Sequence, residues 1–514
     1  MADIERSFIF LTGNGIADPG QTDRLAALET RLKKPGAKLL LHLHGGLVDE
    51  PAGVEGATRL SGRTADSWNC DDDWVQVYVV WRTGIVEQAR RNWPDLVRDD
   101  RLYQVILTKL IRFIARKIGI PAHSGARSID AQLSLDEASV RRRILGLGTA
   151  DERRNPFADI EPHFGSDVAE GARSSVLSPQ SDTAMATEFQ GELRDDPAYS
   201  TAVRDLNAAV NEGLPGRAGA IGGDPETGYA MYRKLSDAIK EEIGPVETEE
   251  HRTARGPVAV SLLILEHAGR VAFRCFKRFR NQRDHGFHAT IVEELCRELY
   301  ADLIGAKFWG MMTRDAAEHF EGEGFGSALL ATLRNVPAPE RFVISGHSAG
   351  SIWASHMLLA MKEAGMDQRA KLLLLAPAVR QDLFARVIDG AGELIESCTM
   401  FTMSDDLERA DAVLGQDKGY IYPSSLLYCV SGMFEERDAT GYVDAPLLGM
   451  RRFADAGWMS NEERVDAKTI AQFFDSDENQ IILAPAAGIC EANCHGCFDD
   501  EPMTLASAAA YFSR

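Results

Sequence analysis

The stretch Gly346-His347-Ser348-Ala349-Gly350 offers the clearest chemistry in this chain. It follows the apolar run Arg341–Ser345 and leads into an apolar, helix-like stretch, about Ser351–Ala364. A G-x-S-x-G between strand and helix is the setting of an exposed nucleophilic serine. Its glycines let neighbouring backbone pass close to a serine held in a strained turn. The Ala349 N–H would open the helix and point to where a negative oxygen forms. A serine hydroxyl needs a base. In this pattern the partners follow in the order serine, acid, histidine. Met403-Ser404-Asp405-Asp406 closes a strand-like run, so Asp405 is the expected acid and Asp406 the alternative. One or both could instead simply cap the next helix. His495 is the only histidine after Asp406, and it precedes a terminal helix-like stretch near Met503–Phe512. It is the expected base; a surface-loop histidine is the plainer alternative.

Acyl transfer also needs a second N–H donor from a loop after an early strand. The run Leu39–Leu43 ends in His44-Gly45-Gly46-Leu47. Gly45 or Gly46 would let backbone approach a substrate oxygen, and Gly46 or Leu47 would donate. A simple glycine turn ending a strand is the competing reading.

Cys490, Cys494 and Cys497 form a C-x3-C-x2-C pattern with the spacing of an iron–sulfur site. With His495 as a fourth ligand they could also hold zinc. A metal there would remove His495 from catalysis. The plainer reading packs Cys494 and Cys497 beneath the histidine loop, with a disulfide as a further option. The expectation is no metal and no cofactor. Gly13-Asn14-Gly15 and Gly146-Leu147-Gly148 are lone glycine pairs that complete no dinucleotide fingerprint.

These residues require a sheet to position them. Ser7–Thr12, Lys38–Leu43 and Trp74–Trp81 read as early strands, with a helix near Ala52–Leu60. Arg341–Ser345, Leu372–Ala376, Thr399–Met403 and Ser425–Val430 read as later ones. Strands separated by helices predict an α/β fold, a mostly parallel sheet with helices on both faces. Between them strands are scarce. The expected organisation is residues 1–86 as the first part of the core, 87–287 as a mainly helical cap or lid, and 288–514 as the rest of the core. Leu102–Ile118 and Val258–Arg283 are basic and amphipathic. They could lie on anionic lipid as a lid, or bury their apolar faces within the cap with the basic groups in solvent.

The 514 residues exceed one ordinary core, and 45% hydrophobic with 26% charged residues suits a globular protein. A net charge of -21 repels phosphate backbones, so nucleic acid is not an expected partner. The first residues show no signal-peptide pattern and no apolar run reaches membrane-spanning length, so a cytoplasmic location is expected.

Taken together, the nucleophile turn, His44-Gly45-Gly46-Leu47, Trp81-Arg82-Thr83-Gly84, Arg283-Asp284-His285-Gly286 and His495-Gly496-Cys497-Phe498-Asp499-Asp500 resemble the α/β-hydrolase superfamily, in particular poorly characterised bacterial members. The resemblance covers roughly residues 7–84 and 288–514 and leaves the helical insertion unmatched. It implies hydrolysis of an ester, thioester or amide without a cofactor. The leading expectation is a serine esterase or lipase-like enzyme acting on a small-molecule or lipid ester through Ser348, His495 and Asp405. A metal protein built on the terminal cysteines, or a hydrolase fold that binds without turnover, are the alternatives.

Overall fold

A computed structural model describes residues 7–13, 15–18, 21–45, 49–81, 85–117, 135–161, 181–211, 223–244, 257–436, 444–454 and 457–513. Eight strands form its sheet: β1 (Ser7–Gly13), β2 (Ile16–Ala17), β3 (Lys38–Leu43), β4 (Trp74–Trp81), β5 (Phe342–His347), β6 (Ala370–Leu375), β7 (Ile395–Met403) and β8 (Asn479–Ala484). Their order is β2-β1-β4-β3-β5-β6-β7-β8, parallel throughout except for the short β1–β2 pair. Strands β4, β5 and β6 are buried along their whole length. That explains their near-continuous apolar sequences, as expected for a sheet covered on both faces.

The two-residue period of a strand divides the core. Leu39, Leu41 and Leu43 of β3 join the apolar cluster on one face, which takes in the long helical segment. Leu40 joins the cluster on the other, together with the helices Glu50–Leu60 and Pro502–Ser513. Between β4 and β5 every described element is helical. The helical segment therefore reaches past residue 287, ending in the helix Phe325–Arg334. It does not stand apart, because it shares one buried cluster with a face of the sheet.

The basic stretches have definite surroundings. In the helix Arg101–Lys117, Leu102, Ile106, Leu110, Ile111 and Ile114 are all buried. Lys109 pairs with Asp196, Arg112 with Glu137, Arg116 with Glu192 and Lys117 with Glu188. Along the helix Pro257–Arg280, Arg270 pairs with Glu266, Arg274 with Glu294 and Glu298, and Arg278 with Glu293 and Glu294. Just beyond it, Arg283 pairs with Asp444 and Glu463. These cations are matched by carboxylates within the molecule. Among the described residues, no helix is long and apolar enough to cross a membrane.

Two strands differ from expectation. Ser425–Val430 is not a strand: Leu426–Cys429 is a helical turn that continues into a π-helix, Val430–Phe434. A short, fully buried apolar run has no periodicity to tell the two apart. Conversely, β8 lies at the sheet edge and is only partly buried, so its sequence lacks the continuous apolar run of its neighbours.

Candidate active site

Strand β5 ends at His347, and the helix Gly350–Glu363 begins three residues on. Ser348 lies in the turn at φ 50°, a left-handed conformation that costs a residue with a Cβ some strain. The surroundings enforce it. The Ser348 N–H donates to the Leu375 carbonyl at 2.8 Å, and the Ser348 carbonyl accepts from the Ala378 N–H at 3.0 Å and from Ser351 Oγ at 2.5 Å. Both flanking glycines are sterically required. A Cβ on Gly346 would lie 2.8 Å from the Gly350 backbone, and one on Gly350 would collide with the Leu43 carbonyl. The Ala349 N–H sits at the start of the helix, where N–H groups lack an acceptor within the helix.

His495 reaches this serine from 147 residues away. Its Nε2 lies 3.0 Å from Ser348 Oγ. Its main chain is held from both sides: the His495 N–H donates to Asp411 Oδ2 at 2.8 Å, and His347 Nε2 lies 3.1 Å from the His495 carbonyl. The other nitrogen of His347 stands 3.2 Å from Asp499 Oδ2. Burial disfavours a charge on His347, but Asp499 outweighs it and holds the ring above the usual histidine range. A protonated His347 donates from both nitrogens, one to the carboxylate and one to the His495 carbonyl. In return, His347 keeps Asp499 ionised below the usual carboxylate range despite burial.

His495 itself is pushed down to about 3, first by burial and then by the neighbouring His347 charge. Its Nδ1 is buried without a hydrogen-bond partner among the described residues. The residues expected to fill that role lie elsewhere. Asp405 accepts from the Tyr428 hydroxyl and is the first residue of the helix Asp405–Ala410. Neither Asp405 nor Asp406 lines the cavity around Ser348. The carboxylate that meets His495 is Asp411, just past that helix, through the backbone N–H. The chain thus runs on for one short helix after β7 before Asp411 reaches the His495 main chain. No spacing rule anticipates that detour.

The loop expected to supply the second N–H follows β3. His44 Nε2 accepts from the Trp81 N–H at 3.2 Å, so its Nδ1 carries the proton and donates to the Gly45 carbonyl at 2.6 Å. Burial lowers His44 to about 4, which keeps this neutral form. A Cβ on Gly45 would lie 3.4 Å from Ser348 Cβ, so the loop touches Ser348. Gly46 and Leu47 lie outside the described residues. His347, His44, Asp411 and Asp499 are the site residues that sequence reasoning missed. His44, His347 and Asp499 lay inside stretches already singled out, and the pairing of such stretches was the available signal.

A cavity of about 910 Å³ opens over Ser348 and His495. Helix Glu50–Leu60, the Leu407–Gln416 segment and the Asn493–Asp500 loop supply most of its walls. From the region expected to form a cap, only Arg154 reaches it among the described residues.

No family model, curated protein or solved structure matches the chain. The chemistry of the site rests on its own geometry.

The terminal cysteines do not gather around a metal position. Cys494 and Cys497 are joined in a disulfide that brackets His495, and buried Cys490 accepts from Thr504 Oγ1 at 2.9 Å. Among the described residues, no cluster of three or more histidine, cysteine or acidic side chains is placed to hold a metal ion.

Proposed function

We propose that this protein is a serine hydrolase of the α/β-hydrolase kind that cleaves carboxylic esters, with lipid-like esters as the leading substrates. The observation that carries the reading is the 3.0 Å approach of His495 Nε2 to Ser348 Oγ, with the serine held at positive φ at a strand–helix turn. Supporting it, the Gly45 loop follows β3 and lies against the nucleophile, where such enzymes place an oxyanion donor.

In this reading Ser348 Oγ attacks the ester carbonyl while His495 Nε2 takes its proton. The oxyanion is held by the Ala349 N–H and by an N–H of the loop after Gly45. His495 returns the proton to the departing alcohol, then activates water to release the acid from Ser348. Asp411 fixes the His495 backbone, and among the described residues no carboxylate pairs with the ring Nδ1. His347 and Asp499 hold the opposite side of the same residue. The helical segment serves mainly as core for one sheet face, and among the described residues its part as a cap is limited to Arg154.

A second reading is a binding module that keeps this site without turnover. The unpartnered Nδ1 and lowered basicity of His495 favour it. Treating purified protein with a fluorophosphonate and mapping the adduct by peptide mass separates the two. A single adduct on Ser348, lost in His495→Ala, supports hydrolysis. An unlabelled but folded protein supports binding alone.

A further inference from the structure

Helix Glu50–Leu60 turns a face of small residues, among them Gly53, Gly56 and Ala57, toward the cavity. Its start is pinned by Asp49, whose side chain accepts from the Ala52 N–H at 2.9 Å. The two glycines differ. A Cβ on Gly53 would lie 2.8 Å from Val80 Cγ1, so Gly53 is explained by the close approach of the helix to β4. A Cβ on Gly56 would meet nothing within 4 Å. Glycine inside a helix costs about 1 kcal/mol relative to alanine, and no neighbour requires it here. The space in front of Gly56 belongs to the cavity that holds Ser348.

That cavity has a second apolar wall, from Leu407, Val413 and Leu426. The helix follows β3 and Leu407 follows β7, strands on opposite sides of β5 in the sheet. Ser348, at the end of β5, lies between the two walls. At about 910 Å³ the space is near the top of the usual range for ligand sites, roughly 300–1,000 Å³. The histidines on the β3 side carry no charge at neutral pH: burial takes His44 to about 4 and His42 to about 3. Arg59, Arg154, Asp411, Asp499 and Asp500 also line the cavity, but Gly53, Gly56 and Ala57 on one side and Leu407, Val413 and Leu426 on the other present no charge, and the vacant helix position between them suits an aliphatic chain better than an ionic group.

We infer that the substrate is an ester with a medium to long aliphatic acyl chain that lies across Gly56, and that the missing side chain there sets the length accepted. This rests on the serine-hydrolase reading, narrows its lipid-like esters to those with a medium to long aliphatic acyl chain, and adds a specificity-determining residue.

The test measures labelling rates of Ser348 with alkyl fluorophosphonates from methyl to decyl, in the wild type, Gly56→Ala and Gly56→Leu. Each methylene that finds apolar contact should raise the wild-type rate roughly three- to fourfold until the cavity is filled. Gly56→Leu should lower the decyl-to-methyl ratio at least tenfold, and Gly56→Ala by less. Using a ratio removes any general loss of reactivity or of folded protein. A wild-type rate that does not rise with chain length, or a ratio unchanged in Gly56→Leu, overturns the inference and leaves the serine-hydrolase reading intact. No adduct with any chain length overturns both.

Discussion

At the residue scale, the question is what makes His495 a base. With its folded-state value near 3, well below the ordinary histidine value, the ring is neutral over the whole physiological range. It can accept a proton from Ser348, but it is a weak base as it stands. Since only the neutral ring works, activity is lost only when pH falls through that low value. Labelling of Ser348 should therefore hold nearly constant from pH 8 down to about pH 5. A loss centred near the ordinary histidine value, about 6.5, would mean that a carboxylate swings onto Nδ1 in the reactive state. Asp411 is the carboxylate in reach, because its Oδ2 already holds the His495 N–H. Asp411→Asn should lower kcat about ten- to a hundredfold, whereas Asp405→Asn and Asp406→Asn should stay within about threefold. A larger loss in Asp405→Asn would return that residue to the role its position after β7 suggested. On the alkaline side the sign reverses. The raised value of His347 favours the folded loop at low pH, and that contribution fades as pH rises through its folded-state value. His347→Gln should flatten this alkaline decline.

At the scale of elements, the nucleophile turn and the histidine loop carry the site. Gly350→Ala drives a methyl group into the Leu43 carbonyl, so it should destabilise the protein by about 1–3 kcal/mol, read as a lower denaturation midpoint. The disulfide Cys494–Cys497 closes the loop around His495, and both cysteines are partly exposed. A dithiol reductant should slow labelling of Ser348, and Cys494→Ser with Cys497→Ser should match the reduced protein without further response to reductant. These elements were legible to different degrees, for physical reasons. Strand β4 could be read to its residue limits because every position is buried and its β-branched and aromatic residues suit nothing else. The turn at Ser348 was legible because sterics demand glycine on both sides. The contact of Asp411 with His495 was not: Asp405 and Asp406 begin a helix capped by Ser404, and only the turn after it brings Asp411 to the His495 main chain. Strand β8 escaped because an edge strand need not be apolar throughout.

At the scale of the whole molecule, the long helical segment decides how the site is reached. A detachable lid would keep its apolar surface apart from the sheet core and would open at little cost. Here the helices Arg101–Lys117, Pro257–Arg280 and Phe287–Leu299 contribute to the same buried cluster as β3, β4 and β5. In Phe287–Leu299 the buried set includes Glu293 and Glu294, matched by Arg278 and Arg274 from the preceding helix. Lifting these helices onto a lipid surface would expose the apolar residues and break the pairs that neutralise the arginines. Each buried charge left alone would cost several kcal/mol. Access to Ser348 should therefore come through the existing cavity, which Arg154 also lines, without large movement of these helices. Hydrogen exchange followed by mass spectrometry tests this directly. Amides of 101–117 and 287–299 should exchange as slowly as those of β5, with or without anionic vesicles at low salt. Faster exchange of the helices, or a change on adding vesicles, would restore the picture of a lid that opens at a membrane.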